Sequence, residues 1–140
     1  MSLEVSITDF SSEVLAAMKE QVKTGLDEIG YVAEGYAVAA IESSPRRVDT
    51  GLLRNSITHA VSGEAPAKST YTSDDGTKTG TYSGSVDGDG EAVYIGTNVG
   101  YAGYVHDGTK KMAPNRFLAA AANGHNETYK QIMKRAIRGE

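Results

Sequence analysis

Hydrophobic and polar positions change period along this chain, and each change marks an element. Leu3, Val5 and Ile7 alternate with Glu4, Ser6 and Thr8, the two-residue period of a short half-buried strand at or near a sheet edge. From Leu15 onward, Met18, Val22, Leu26, Ile29, Ala33, Tyr36 and Ala40 recur at steps of three and four, which predicts a long amphipathic helix. Its start is supplied by Asp9 to Ser12. With Ser11 as cap, Phe10 and Leu15 take the two places of a hydrophobic staple, and Glu13 falls in the first turn, where acids are favoured. Unbroken from Ser12 to Ser43, the helix would be about 48 Å long, more than a domain of this size needs. Gly25, Gly30 and Gly35 each cost up to about 1 kcal/mol relative to Ala in a helix interior, and either close packing or a bend accounts for them. Pro45 lacks a donor and pushes Ser44 out of the helical region, so the helix stops there.

Beyond that stop, Asp49 or Thr50 can cap a new turn through its side-chain oxygen, while Gly51 tolerates backbone angles that other residues resist. A short helical turn over Leu52 to Asn55 leads into Ile57-Thr58-His59-Ala60-Val61, whose odd positions share one face. His59 thus lies with Ile57 and Val61, a place where a satisfied sheet residue is the commoner reading than a ligand. A further strand is predicted through Ala92 to Thr97, with Val93 and Ile95 inward. Between the two strands, Gly63 to Gly90 holds six Gly, nine Ser or Thr, and no Leu, Ile, Phe or Met, too little to build much core. It reads as a long flexible hairpin arm turning at Asp75-Gly76, able to reach a neighbour or line a channel. Asn98 is placed to cap a short helix over Tyr101 to Val105, which Gly108 ends, with Tyr101, Tyr104 and Val105 on one side. Pro114 and Asn115 open a last helix whose stripe runs through Phe117, Leu118, Ala121, Ala122, Tyr129, Ile132, Met133 and Ala136. Lys130, Lys134, Arg135 and Arg138 sit in its final turns, where cations complement the helix dipole.

At 140 residues the chain suits one domain, 1–140, with the arm at 63–90. It has no Cys, hence no disulfide framework, as in proteins of a reducing compartment. No run near 18 apolar residues and no leader pattern occurs, so a soluble, intracellular product without a membrane partner is expected. Net charge is −4, but its distribution is uneven. Residues 1–42 carry eight acids against two bases, and residues 92–140 carry seven bases against three acids. That polarity either pairs the two halves within one chain or helps identical subunits dock through different surfaces.

Three separated blocks carry a resemblance. They are Pro45-x-x-Val48-Asp49-Thr50-Gly51-x-Leu53-Arg54-x-Ser56, then Tyr101-Ala102-x-Tyr104-Val105-x-x-Gly108-Thr109, then Pro114-x-x-Phe117-Leu118. In this order and spacing the chain resembles the tail-component proteins of long-tailed bacteriophages, which complete the tail and join it to the head. The likeness covers about Leu15 to Ala136, excluding the arm. That family more commonly has an acidic residue at His106 and an aromatic one at Asp107, so no contact of those two is carried over. The resemblance implies a non-enzymatic virion subunit of the tail or neck, made in the host cytoplasm. It would form a ring, expected as a hexamer, between the head connector and the tail tube proteins, with DNA only passing through. It points to Asp49, Thr50, Gly51, Arg54, Tyr101, Tyr104, Gly108, Thr109 and Phe117 as structural or interface residues. From the residues themselves, Arg54 offers a planar donor fork for a carboxylate of the same chain or of a neighbour.

Catalytic signatures are lacking: there is no nucleophile elbow, P-loop, His-Glu-x-x-His or dinucleotide fingerprint. Asp87-Gly88-Asp89-Gly90-Glu91 resembles the opening of a calcium loop, but the twelfth position is Asn98 where such a loop needs a bidentate Glu. His106 and Asp107 are adjacent on a helix, where neighbours do not face each other. No catalytic, cofactor or metal site is therefore expected. A small DNA-binding module using the basic end of the last helix is the alternative function, and a metal-assisted hydrolase would need His59, His106 or the Asp87 cluster to converge in a pocket. The fold expected is α+β: a small, mostly antiparallel sheet packed against the long N-terminal helix and the C-terminal helix, with the hairpin arm leaving it.

Overall fold

The computed structural model describes residues 3–6, 19–43 and 45–140. The cap at Ser11, the staple of Phe10 and Leu15, Glu13 in the first turn and Met18 lie outside the described residues. The architecture is α+β. Strand β1 (Leu3–Ser6) and strand β2 (Thr58–Val61) flank β5 (Val93–Thr97), and both pairs are antiparallel, giving the order β1, β5, β2. β1 is thus an edge strand, as its length and pattern predict. Val5 and His59 stand opposite Ile95 from its two sides.

Helix α1, described over Lys19–Glu42, crosses this sheet and packs on β2, β5 and the two C-terminal helices. Leu26, Ile29, Ala33, Ala37 and Ile41 form its buried stripe and meet Ile57, Val93 and Ile95 in one core. Two of its glycines are explained by close packing. A β-carbon on Gly25 would stand 2.8 Å from that of Ala136, and one on Gly30 would run into the His59 ring. Gly35 faces open space. The helix runs through all three without a break, and it ends at Glu42, just before Pro45, as expected.

The last helix departs from its expected continuity. The apolar stripe is divided between α4 (Phe117–Asn123) and α5 (Asn126–Ile137). Gly124 closes α4 by donating to Ala120 O at 2.9 Å, and His125 has a non-helical backbone (φ −135°, ψ 34°). Two contacts stabilise the break. The His125 ring stacks on Tyr36, with centroids 3.5 Å apart and planes 6° from parallel. The Tyr129 hydroxyl donates to Ala121 O at 2.5 Å, and burial pushes that phenol up to about 12.

Residues 63–90 form the hairpin at the expected turn: β3 (Thr70–Thr72) pairs with β4 (Thr79–Thr81), and Gly76 has φ +75°. The carboxylate of Asp75 accepts from Thr77 N–H and from the Ser73 and Thr77 hydroxyls, which lowers it to about 2. The segment contributes more to the core than its composition promised, because two tyrosines carry its apolar surface. Tyr71 is buried and packs 5.4 Å from Tyr82, whose hydroxyl donates to Ser56 O at 2.5 Å. The hairpin is therefore a separate two-stranded sheet laid back on the body near residues 50–56, not an arm projecting from it. Asn98, expected to cap the next helix, serves this hairpin: its amide donates to Thr81 O at 2.8 Å and its carbonyl accepts from the Tyr71 hydroxyl at 2.5 Å. Helix α3 (Ala102–Asp107) begins without a side-chain cap, on Ala102 N–H to Val99 O.

The glycine packing yields a paired prediction. Gly30→Ala must displace the His59 ring and lowers unfolding free energy by about 2 kcal/mol or more. Gly35→Ala, with nothing to strike, raises it by up to about 1 kcal/mol. Urea unfolding of both variants beside the parent checks the pair; equal effects would remove the packing explanation.

Candidate functional site

The corner after α1 is built to satisfy the helix end. The Arg47 amide donates to Ile41 O at 2.9 Å, and the Asn115 side-chain amide donates to Ala40 O and Pro45 O, each at 2.9 Å. Asn115 also gives its backbone N–H to Val105 O at 2.9 Å, and Arg47 reaches Ala113 O at 2.8 Å. One asparagine thereby ties the corner, the tyrosine-bearing helix α3 and the proline-led start of α4. The three sequence blocks are neighbours in space.

The first two line a cleft of about 460 Å³, while the third puts Phe117 and Leu118 into the core. Asp49, Thr50, Gly51 and Arg54 line one side, and Tyr101, with Val105 and Met112, lines the other. Thr50 Oγ1 accepts the Leu52 amide at 3.3 Å, the role predicted for this position, although the helix α2 (Leu52–Ser56) takes Gly51 itself as cap. Gly51 is needed twice. Its φ is +84°, and a β-carbon there would meet the Asp74 carboxylate. Arg54 spreads its fork over three partners: Asp74 of the hairpin, Glu42 at the end of α1 (3.4 Å) and Asn55 Oδ1 (3.1 Å). The carboxylates it clamps belong to its own chain. Hydrogen bonds from Asn55 and then Arg54 hold the Asp74 carboxyl below its ordinary range.

The other residues to which the resemblance points divide by depth. Tyr101 and Tyr104 are 44% and 64% exposed, while Val105 of the same helix is buried. Burial of its ring pushes the Tyr101 phenol up. Gly108 has φ +81° and ends α3 by donating to Tyr104 O at 2.8 Å; Thr109 closes a tight turn with Met112. Phe117 is fully buried and is a core residue, not a lining one. Arg46, Arg47 and Lys78 also line the cleft, and Lys110 and Lys111 stand on the turn that holds Met112. None of these five is paired with a carboxylate among the described residues.

The histidines lie elsewhere. His106 and Asp107 do meet, contrary to the expectation for adjacent helical residues: Nδ1 is 2.9 Å from Asp107 Oδ1. The reason is that Asp107 is the last residue of α3, where Gly108 turns the chain and the side chain swings back. Nε2 accepts Ala119 N–H at 3.2 Å, leaving Nδ1 to donate. That bond, with Arg116 3.2 Å away, draws the Asp107 carboxyl down. The ring is buried against Phe117 and joins α3 to α4; no hydroxyl or thiol is within its hydrogen bonds.

His59 is buried beneath α1, with Nδ1 on Glu34 and Nε2 on Asp27 at 2.8 Å. Burial works to lower its basicity, but the hydrogen bonds and charges of Glu34 and Asp27 outweigh it, so its pKa is raised. The two carboxylates take opposite nitrogens and do not converge on a point. No cluster able to hold a metal ion occurs among the described residues, and His59, His106 and Asp87 share no cavity. Sequence reasoning gave Asn98 and Asn115 only local roles, a helix cap and a helix start, and missed their long-range bonds and the Asp27–His59–Glu34 link. Only the last left a signal, a histidine on an apolar strand face together with acids seven positions apart on a helix.

Comparison with known protein families, with curated proteins and with solved structures gives no match.

A raised histidine pKa fixes the sign of a pH effect. The contribution of His59 to stability is fully present below about pH 6.5, the unfolded value, and is lost as pH rises through the higher folded value. His59→Gln is expected to cost about 1–3 kcal/mol at pH 6 and to flatten the decline above pH 6.5. Unfolding free energies across a pH series check this; an unchanged slope in the variant would sink it.

Proposed function

We propose that this chain is a structural subunit of a bacteriophage or prophage virion. It assembles as a ring at the junction of tail and head, completing the tail and joining it to the head connector. One observation carries the reading: the three blocks on which the resemblance rests are neighbours tied together by Asn115, and the first two line one cleft, with Tyr101 part-exposed in its lining and Tyr104 exposed on the helix that follows. Exposed tyrosines beside unpaired arginine are the composition of protein interfaces, where aromatic and arginine anchors supply most of the binding energy. The fixed turn at Gly51, the Arg54 clamp and the Asn115 amide hold that surface in one shape before a partner arrives, which lowers the entropic cost of docking. In this reading the work of the protein is assembly, and the ring leaves a passage for DNA.

The DNA-binding alternative has less support. Three of the four cations on the last helix already face acids: Lys130 with Glu127, Arg135 with Glu28 and Arg138 with Glu140. A duplex-retardation assay at low salt separates the two readings, since phosphate contacts are strongest there.

Tyr104→Ser tests the interface directly. Loss of one aromatic anchor costs about 2 kcal/mol, roughly 30-fold in affinity. Electron microscopy of purified protein mixed with connector or tail-tube subunits is expected to show rings with the parent chain and few with the variant, whose melting temperature stays unchanged. Absence of any ring or joint with the parent chain overturns the proposal.

A further inference from the structure

We infer that the cleft at the corner receives the loop 87–91 of a second copy of this chain, so that subunits join head to tail. The inference rests on the reading of the protein as a self-assembling subunit and names the mate of its cleft.

Most acids of α1 are not free to serve another copy. Asp27 and Glu34 hold His59, Glu28 lies 3.8 Å from Arg135, and Glu42 is taken by Arg54. Four of the five acids of α1 are thus paired inside the molecule, three of them by residues of its middle. Two groups of opposite sign remain without ion-pair partners among the described residues. One is cationic: Arg46, Arg47 and Lys78 in the cleft lining, where Asp49 is the one acid, with Lys110 and Lys111 on the adjoining turn that holds Met112. The other is Asp87, Asp89 and Glu91, where the Glu91 carboxylate accepts from the Asp89 amide at 2.7 Å. A side-chain hydrogen bond with Glu91, and then its charge, raises the Asp89 carboxyl, and the charge of Lys19 only partly offsets it. Like charges held together in this way gain from an external cation.

Position decides which copy supplies it. Gly90 of the loop packs on the Lys23 stem, near the first described turn of α1, whereas the cleft is tied to Glu42 at the helix end. Nineteen residues of helix separate those points, about 28 Å at 1.5 Å per residue. A single chain cannot close the contact on itself. A second copy, displaced along the helix axis, sets its acidic loop into the cationic cleft, and the same step repeats with a third. Because the two surfaces differ, the contact is heterologous, the kind that generates rings when the rotation closes. The cleft also has an apolar side, Val48, Leu53, Val105 and Met112, that excludes water from the charge pairs and strengthens them.

The chain has no cysteine, so single introduced thiols report proximity cleanly. Lys78→Cys mixed with Asp89→Cys at low salt is expected to form an interchain disulfide at least about tenfold faster than Lys134→Cys mixed with Asp89→Cys, and the preference is expected to vanish in strong salt. No preference over the control overturns the inference. Charge exchange gives the second measurement. The double variants Lys78→Glu/Lys111→Glu and Asp87→Lys/Asp89→Lys each lose self-association in sedimentation, and an equal mixture of the two regains it, since each then presents what the other lacks. Self-association of each variant alone at the level of the parent chain overturns the contact but leaves assembly on a connector intact; failure of the parent chain to join connector or tube subunits overturns the functional reading instead.

Discussion

The end of α1 sets the constraint on which the rest of this structure depends. A helix that stops at a proline leaves its last carbonyls without intrahelical donors, and buried carbonyls must find partners. Here the donors come from far along the chain: the Asn115 amide takes Ala40 O and Pro45 O, and the Arg47 amide takes Ile41 O. Satisfying those groups fixes where the proline-led helix begins. Since Asn115 N–H is bonded to Val105 O, it also fixes where the tyrosine-bearing helix lies. The cleft lies between two of these segments, the corner and the tyrosine-bearing helix, which the Asn115 bonds hold in place. Its shape is a consequence of backbone accounting at a helix terminus, with no separate device needed to hold it open.

Charge follows the same logic of local satisfaction. A sequence view divides the chain into an acidic beginning and a basic end, yet only Glu28 and Arg135 join those two parts as an ion pair among the described residues. Arg54 and His59, from the middle of the chain, take the others. Exposed pairs contribute at most about 1 kcal/mol each, so Arg135 with Glu28 adds little to stability. His59 is different, because its ring is buried and both nitrogens are occupied. Removing it leaves two acids seven positions apart on α1 facing a gap where Gly30 had made room for the ring. Gly30 and His59 form a single fitted unit, a small residue on the helix matched to a large one on the strand.

Elements with strong periodicity were legible in the sequence. The edge strand, the long helix, the stop at Pro45, the strands around His59 and Ile95 and the hairpin turn at Asp75-Gly76 each follow from spacing or from one residue with a fixed backbone preference. The break between α4 and α5 was hidden because apolar residues at steps of three and four continue through it; Asn123-Gly124 was the available signal, and the stripe outweighed it. Residues 63–90 were undervalued for another reason. Composition counts apolar side chains, but Tyr71 and Tyr82 each supply a large apolar body together with a hydroxyl that secures the strand, so two residues do the work that the count assigned to none. Asn115 and Asn98 were beyond reach, because an amide that bonds backbone across 75 or 17 positions leaves no local pattern.

The location of ionisable groups bears on what kind of work the molecule performs. Acid–base chemistry needs a titrating group within hydrogen-bond reach of a substrate in a space that a substrate can enter. His106 is buried among Asp107, Ala119 and Phe117, and His59, which borders two smaller pockets, has both ring nitrogens taken by carboxylates and the edge of Tyr31 against it. The accessible cleft holds instead arginines, a lysine, one aspartate and a tyrosine whose phenol is shifted upward, away from the range useful near neutrality. Groups of that kind carry fixed charge and shape. They can recognise a surface, and on the proposed reading a cleft lined by fixed cations and Tyr101, opposite in sign to a loop at the far end of the same helix, would serve the repeated joining of like units.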